Sequence, residues 1–226
     1  MISALFRIVG PGALRGVMSA ATLIGVLLLV PLSPLLIFGF GPIPALGMAG
    51  AGAAQAQDID ALKLDTRKNA LPVLPKVVAM MQDTVATRGV VEAIPVCKDQ
   101  APKLLKEQSD KTGWKMSRVS LKTRNPERGT PDVWEARQLA DFNIRAAAGE
   151  KVESLEVGEI VMDAGKPVFR YIRAIPVGDV CLKCHGPSDR IEAGLKSELA
   201  RNYPHDRAFG YEKGQIRGAL TVWRPL

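Results

Sequence analysis

The chain has 226 residues, 47% hydrophobic and 5% aromatic, and its 30 Lys and Arg against 23 Asp and Glu leave a net charge of +7. That length supports one domain with a real core behind an N-terminal segment. The basic surplus is modest and spread without a Lys/Arg block, which argues against nucleic-acid binding.

Arg7 and Arg15 are the only charges before Asp58, and the stretch closes on Ala54-Gln55-Ala56, a small-x-small cleavage pattern. Residues 1–56 are therefore expected to be a signal peptide. The alternative is an uncleaved membrane anchor, since the apolar stretch is long enough to cross a bilayer, at about 20 residues. Pro31 and Pro34 interrupt it and favour the signal. Either way residues 57–226 form a single exported domain, periplasmic or held at the inner membrane and facing the periplasm.

Asp58 to Val91 has helical character, divided or kinked by Pro72 and Pro75. A further helix is predicted over about 98–109. Pro102 fits only its first turn, so the helix starts near Cys97, where a thiol ionises more readily. The alternative for Cys97 is a buried, inert cysteine. Trp114 to Lys122 reads as a strand whose apolar phase changes near Arg118, suggesting a bulge. Thr130-Pro131-Asp132 then starts a helix with Thr130 as N-cap. Its apolar stripe is expected to be Val133, Ala136, Ala140, Ile144 and Ala147.

Two strands, about 154–162 and 167–176, are joined by Asp163-Ala164-Gly165-Lys166, a hairpin connection. After them comes Cys181-Leu182-Lys183-Cys184-His185. Cys-x-x-Cys-His is the attachment signature of a c-type haem: two thiols add across the porphyrin vinyl groups and the adjacent imidazole reaches the iron. A structural zinc site would need further Cys or His ligands, and only Cys97 and His205 remain to supply them; a redox dithiol needs no following histidine. Ile191, Leu195 and Leu199 mark a short helix, and a last strand runs over about 215–223. This order gives an α+β fold, helices covering an antiparallel sheet.

His185 is the proximal ligand on this reading. The second axial position is open among Cys97, His205 and the methionines Met80, Met81, Met116 and Met162, with Cys97 and His205 level. Tyr171 and Ile175, on the preceding strand, are candidate haem contacts, with ordinary sheet core as the alternative.

Several blocks carry a resemblance: Ala93-Ile94-Pro95-Val96-Cys97 with Ala101-Pro102, then Arg118 to Pro126 and Pro131 to Glu135. They continue with Cys181 to Gly186, Tyr203-Pro204-x-Asp206-x-Ala208-x-Gly210-Tyr211-x-x-Gly214 and Arg217-Gly218-Ala219. In these the chain resembles the family of exported c-type haem proteins with a PAS-like fold, known as stand-alone proteins and as sensory modules of bacterial signalling receptors. The resemblance implies a PAS-like antiparallel sheet flanked by helices, one covalent haem c at Cys181 and Cys184, His185 proximal and Cys97 distal, with no role for His205. It implies a redox or small-ligand sensor, the alternative being a low-potential electron carrier. The partner is a redox or signalling protein, PAS-like domains often pair as homodimers, and enzyme activity has least support.

Overall fold

The central scaffold is a four-stranded antiparallel sheet of order β1-β4-β3-β2, in the computed structural model that describes residues 48–226 and, for side chains, residues 59–226. The expected export segment lies outside the described residues, except for the backbone of its end. That end falls within the first helix, α1 (Met48–Ala70). Helix α2 (Val73–Arg88) follows after the break at Pro72. A continuous helical path then runs through a 3-10 turn (Val91–Ala93), a π turn (Val96–Gln100) and α3 (Ala101–Thr112). Cys97 is therefore inside a helical path and not at its start. Gly113, left-handed at φ 72°, ends α3 and turns the chain into β1 (Lys115–Val119).

A single turn, α4 (Pro126–Gly129), precedes α5 (Val133–Ala147). The N-cap of α5 is Asp132, not Thr130. Its carboxylate accepts from the Glu135 N–H while Glu135 accepts from the Asp132 N–H, a reciprocal capping box. The buried face of α5 is Glu135, Leu139 and Phe142. Val133 and Ile144, expected in the core, are 90% and 69% exposed. Leu139 and Phe142 bury more apolar area than a stripe of alanines, so they decide which way the helix faces.

Strands β2 (Glu156–Asp163) and β3 (Lys166–Pro176) form the expected hairpin, closed by Ala164 and Gly165 at φ 47° and 79°. The haem-motif residues form α6 (Asp179–His185), α7 (Ala193–Asn202) follows, and β4 (Ile216–Pro225) returns to the centre of the sheet between β1 and β3. β1 runs in regular register from Lys115 to Val119 with no bulge. The phase change at Arg118 arises because Arg118 shares a sheet face with Met116 and Leu220.

Core packing follows the strand alternation. Ile172, Ala174 and Val119 pack on one face with Leu139 and Phe142 of α5. Phe169, Tyr171, Leu220 and Val222 pack on the other with Ala70, Val73 and Leu105 of the N-terminal helices. A smaller cluster joins Ile94 to Ile191, Leu195, Leu199 and Tyr203 of the α7 region.

Candidate functional site

Helix α6 ends at His185 because Gly186 follows. The Gly186 N–H donates to the Leu182 carbonyl at 2.9 Å, and a Cβ there would lie 2.6 Å from that same oxygen. The Tyr203–Tyr211 segment then wraps the helix end. Gly210 N–H donates to the Gly186 carbonyl at 2.9 Å and Tyr211 N–H to the His185 carbonyl at 3.0 Å. Arg124 joins both pieces, donating from Nη2 to the Cys184 carbonyl at 2.6 Å and from Nε to Asp206 at 2.8 Å. The other Asp206 oxygen accepts from the Ala208 N–H.

These contacts set the imidazole. His185 Nδ1 lies 2.8 Å from the Ala208 carbonyl oxygen, which can only accept, so Nδ1 carries the proton and Nε2 keeps its lone pair. Burial, and then the charges of Arg217, Arg124 and Arg118, hold the pKa of His185 well below the usual histidine range. The imidazole is neutral and in the tautomer a metal ligand needs.

His185 opens on a cleft of about 870 Å³, within the range of cofactor pockets. Its walls include Met116 and Arg118 of β1, Ile175 of β3, Leu105 of α3, and Cys97. Cys97 is held by the π turn, which has a physical cause. Pro102 has no N–H to give the Lys98 carbonyl. The path widens there, and Arg128 Nη1 donates to that carbonyl at 3.0 Å. Cys97 therefore does not sit at the helix N-terminus expected from the sequence. Its side-chain partner is the Met81 sulfur at 4.0 Å.

Three arginines lie along the His185 side. Arg124 is neutralised by Asp206, in a pair with side chains only 11% and 4% exposed. Among the described residues Arg217 donates to neutral acceptors alone: Ser120 Oγ at 3.0 Å, the Lys122 carbonyl at 3.4 Å and His185 Nε2 at 3.3 Å. Burial pushes its pKa down to about 10, against a raising effect of Tyr211 and with Arg118 and Arg124 adding to the fall. A bulge aims it there: Ile175 pairs with Gly218 and Pro176 with Ile216, leaving Arg217 as the extra residue of β4. Next to it, a Cβ on Gly218 would sit 2.3 Å from the Val119 carbonyl oxygen. Arg118 has a buried Nε with no partner among the described residues.

The other sequence candidates are placed as follows. Cys181 packs against the cluster of Val177, Ala208 and Tyr211, and Cys184 against that of Ile94, Ile191 and Leu195. Neither thiol lines the cleft, all three cysteines are free, and burial pushes the Cys184 thiol up. Ile175 lines the cleft but Tyr171 does not. Tyr171 is core: its hydroxyl donates to Glu156 at 2.7 Å, and burial raises its pKa. His205 is exposed on its loop and absent from the cleft walls. Among the described residues no three His, Cys, Asp or Glu side chains group as a metal site, so the zinc alternative finds no cluster. The Ala208 carbonyl and the Arg217 bulge escape sequence reading. A backbone carbonyl leaves no side-chain signal, and the residues of the bulge read as ordinary strand alternation.

The model of the Tll0287-like family matches residues 51–225. Among solved structures the chain is similar in fold to the cyanobacterial heme-protein Tll0287, with a TM-score of 0.53 and 23% identity, over 71% of this chain and 95% of that one. No curated protein matches.

Proposed function

The chain belongs to the Tll0287-like family, and on that premise we propose that it is a haem protein of the periplasm, with haem c attached at Cys181 and Cys184. On this reading His185 Nε2 and Cys97 Sγ are the two axial ligands, and the protein senses redox state or a small ligand. The similar solved structure is that of a heme-protein. The observation that carries the reading is that His185 and Cys97, distant in sequence, line one cofactor-sized cleft, with the His185 Nε2 lone pair turned away from its protonated nitrogen.

The residues fit the group in a further way. An unpartnered Arg118 Nε and an Arg217 with only neutral acceptors ask for an anionic ligand. Bound there, a haem would supply a one-electron iron centre with two axial positions. The Ala208 carbonyl orients the imidazole and raises its basicity. Apolar side chains such as Leu105, Met116 and Ile175 lower the local dielectric. A Cys97 thiolate, soft and anionic, favours the ferric state and a low potential. Attachment requires the Cys181 and Cys184 thiols to leave the apolar clusters in which they rest.

The sensing role rests on the unequal hold on the two ligands. His185 is tied through the Ala208, Arg124 and Tyr211 contacts, whereas among the described residues the Cys97 thiol has the Met81 sulfur as its hydrogen-bond partner. A thiolate that takes up a proton becomes a poor ligand, and the sulfur side is the one free to yield. With residues 1–56 cleaved the domain is soluble in the periplasm, and with them retained it stays at the inner membrane, where a signalling partner or a second copy would be within reach.

The test is protein exported together with haem-attachment machinery. It should be coloured, keep its haem through acid extraction, and lose it on Cys181→Ala with Cys184→Ala. Cys97→Ala should shift the ferric absorption spectrum and raise the potential; an unchanged spectrum removes Cys97 as a ligand. Ferrous protein that binds CO supports sensing. Fast electron exchange without CO binding makes the protein a low-potential electron carrier instead, and colourless protein overturns the haem reading.

A further inference from the structure

The charges around the cleft do not balance within the chain. The rim cations have partners: Lys106 pairs with Asp110, Lys98 donates to Asn202 and Arg128 to the Lys98 carbonyl. Arg124 has Asp206. Of the other guanidiniums that line the cleft, Arg128 is exposed, whereas Arg118 and Arg217 are partly buried and have no carboxylate among the described residues. A cation away from water is costly unless an anion meets it.

Position makes the pair specific. Arg118 shares the sheet face of Met116, and both line the cleft. Arg217 is the extra residue of the β4 bulge and also lines it. One of the acceptors of Arg217 is the His185 Nε2 lone pair, which an iron would claim. Its Nε–H then needs a new acceptor in the same cleft. The ligand these features describe has an apolar body and two carboxylates, each suited to the two-pronged fork of an arginine.

We propose that Arg118 and Arg217 hold the two propionate carboxylates of the haem and thereby set its potential. This rests on the haem reading above and adds the residues that neutralise the group. Two positive charges beside the porphyrin edge favour the ferrous state, so they offset part of the effect of an anionic sulfur ligand. Arg217 has a further part before loading: its hydrogen bond occupies the Nε2 lone pair and is given up when the metal takes that atom.

The experiment compares haem-loaded wild type with Arg118→Gln, Arg118→Lys, Arg217→Gln and the exposed control Arg137→Gln. The midpoint potential is read together with redox-difference infrared spectra of protein carrying haem isotope-labelled at its propionates. Arg118→Gln and Arg217→Gln should keep covalent haem, lower the potential and shift the labelled carboxylate bands. Arg118→Lys should fall between, and Arg137→Gln should leave both readouts unchanged. If Arg217→Gln loads no haem, the two Arg118 variants still decide the matter for that position. Arg118→Gln with wild-type potential and bands, its haem still attached, overturns this proposal and leaves the haem reading standing. Wild type without haem removes the haem reading itself.

Discussion

Arg118 and Arg173 sit in one cross-strand row of the sheet, in the order Arg118, Leu220, Arg173, Glu156 from one edge strand to the other. At the β2 edge Arg173 donates to Glu156 at 2.9 Å. The same carboxylate accepts from Arg67 and from the Tyr171 hydroxyl. At the β1 edge Arg118 faces the cleft with an unpartnered Nε. The residue type and sheet face are the same, and the fold supplies a carboxylate to one and none to the other. Arg173 braces the sheet, whereas Arg118 is a cation with no carboxylate among the described residues.

The largest contrast should come from removing each end of the row in turn. Glu156→Ala leaves Arg67, Arg173 and Tyr171 without their shared acceptor. It should cost about 3 kcal/mol in urea unfolding. Arg118→Leu in haem-free protein should change stability by less than about 1 kcal/mol, or raise it, because a buried donor without a partner disappears. A loss as large as that of Glu156→Ala would show that Arg118 has a partner within the chain.

The two ends also differ in acid. Burial works to raise the pKa of Glu156, but hydrogen bonds from Arg67 and Tyr171 and the charges of Arg67 and Arg173 outweigh it and hold the group below the usual carboxylate range. A carboxylate whose folded pKa is depressed contributes stability above its unfolded pKa, about 4.3, and loses it as the pH falls through the folded value. Stability measured by denaturant should therefore drop as the pH is lowered below about 4.3. Glu156→Gln should flatten that part of the profile, and Arg118→Leu should leave it alone.

Smaller effects test the backbone that aims the cleft. Gly218→Ala pushes a methyl against the Val119 carbonyl and should cost about 2 kcal/mol, visible as a lower melting temperature. Arg128→Leu frees the Lys98 carbonyl beside Cys97 and should cost only about 1 kcal/mol, with a local rise in amide exchange over the π turn.

Legibility in the sequence tracks distance along the chain. The β2–β3 hairpin is readable because two residues in left-handed geometry close it locally. The face of α5 is not. Alanines at helical spacing mark a stripe, but Glu135 turns inward where Arg170 and the Asp132 N–H satisfy its carboxylate, and Leu139 and Phe142 follow it into the core. The helix start expected near Cys97 does not form there because a π turn absorbs Pro102. The phase break at Arg118 is visible, but its cause is a cleft and not a bulge, and the bulge lies one strand away at Arg217.

Sequence alone settled what neighbouring residues do to one another: two thiols and an imidazole within five positions, the punctuation of helices by Pro and Gly, and the alternation that makes four strands. It took the packed chain to bring Cys97 into one cleft with His185, to hold one tautomer with the Ala208 carbonyl, and to leave Arg118 and Arg217 without a carboxylate. The reason is physical. Local geometry depends on bonds and torsions a few residues long, whereas a charge is satisfied or left alone by whichever distant segment the packed core brings beside it.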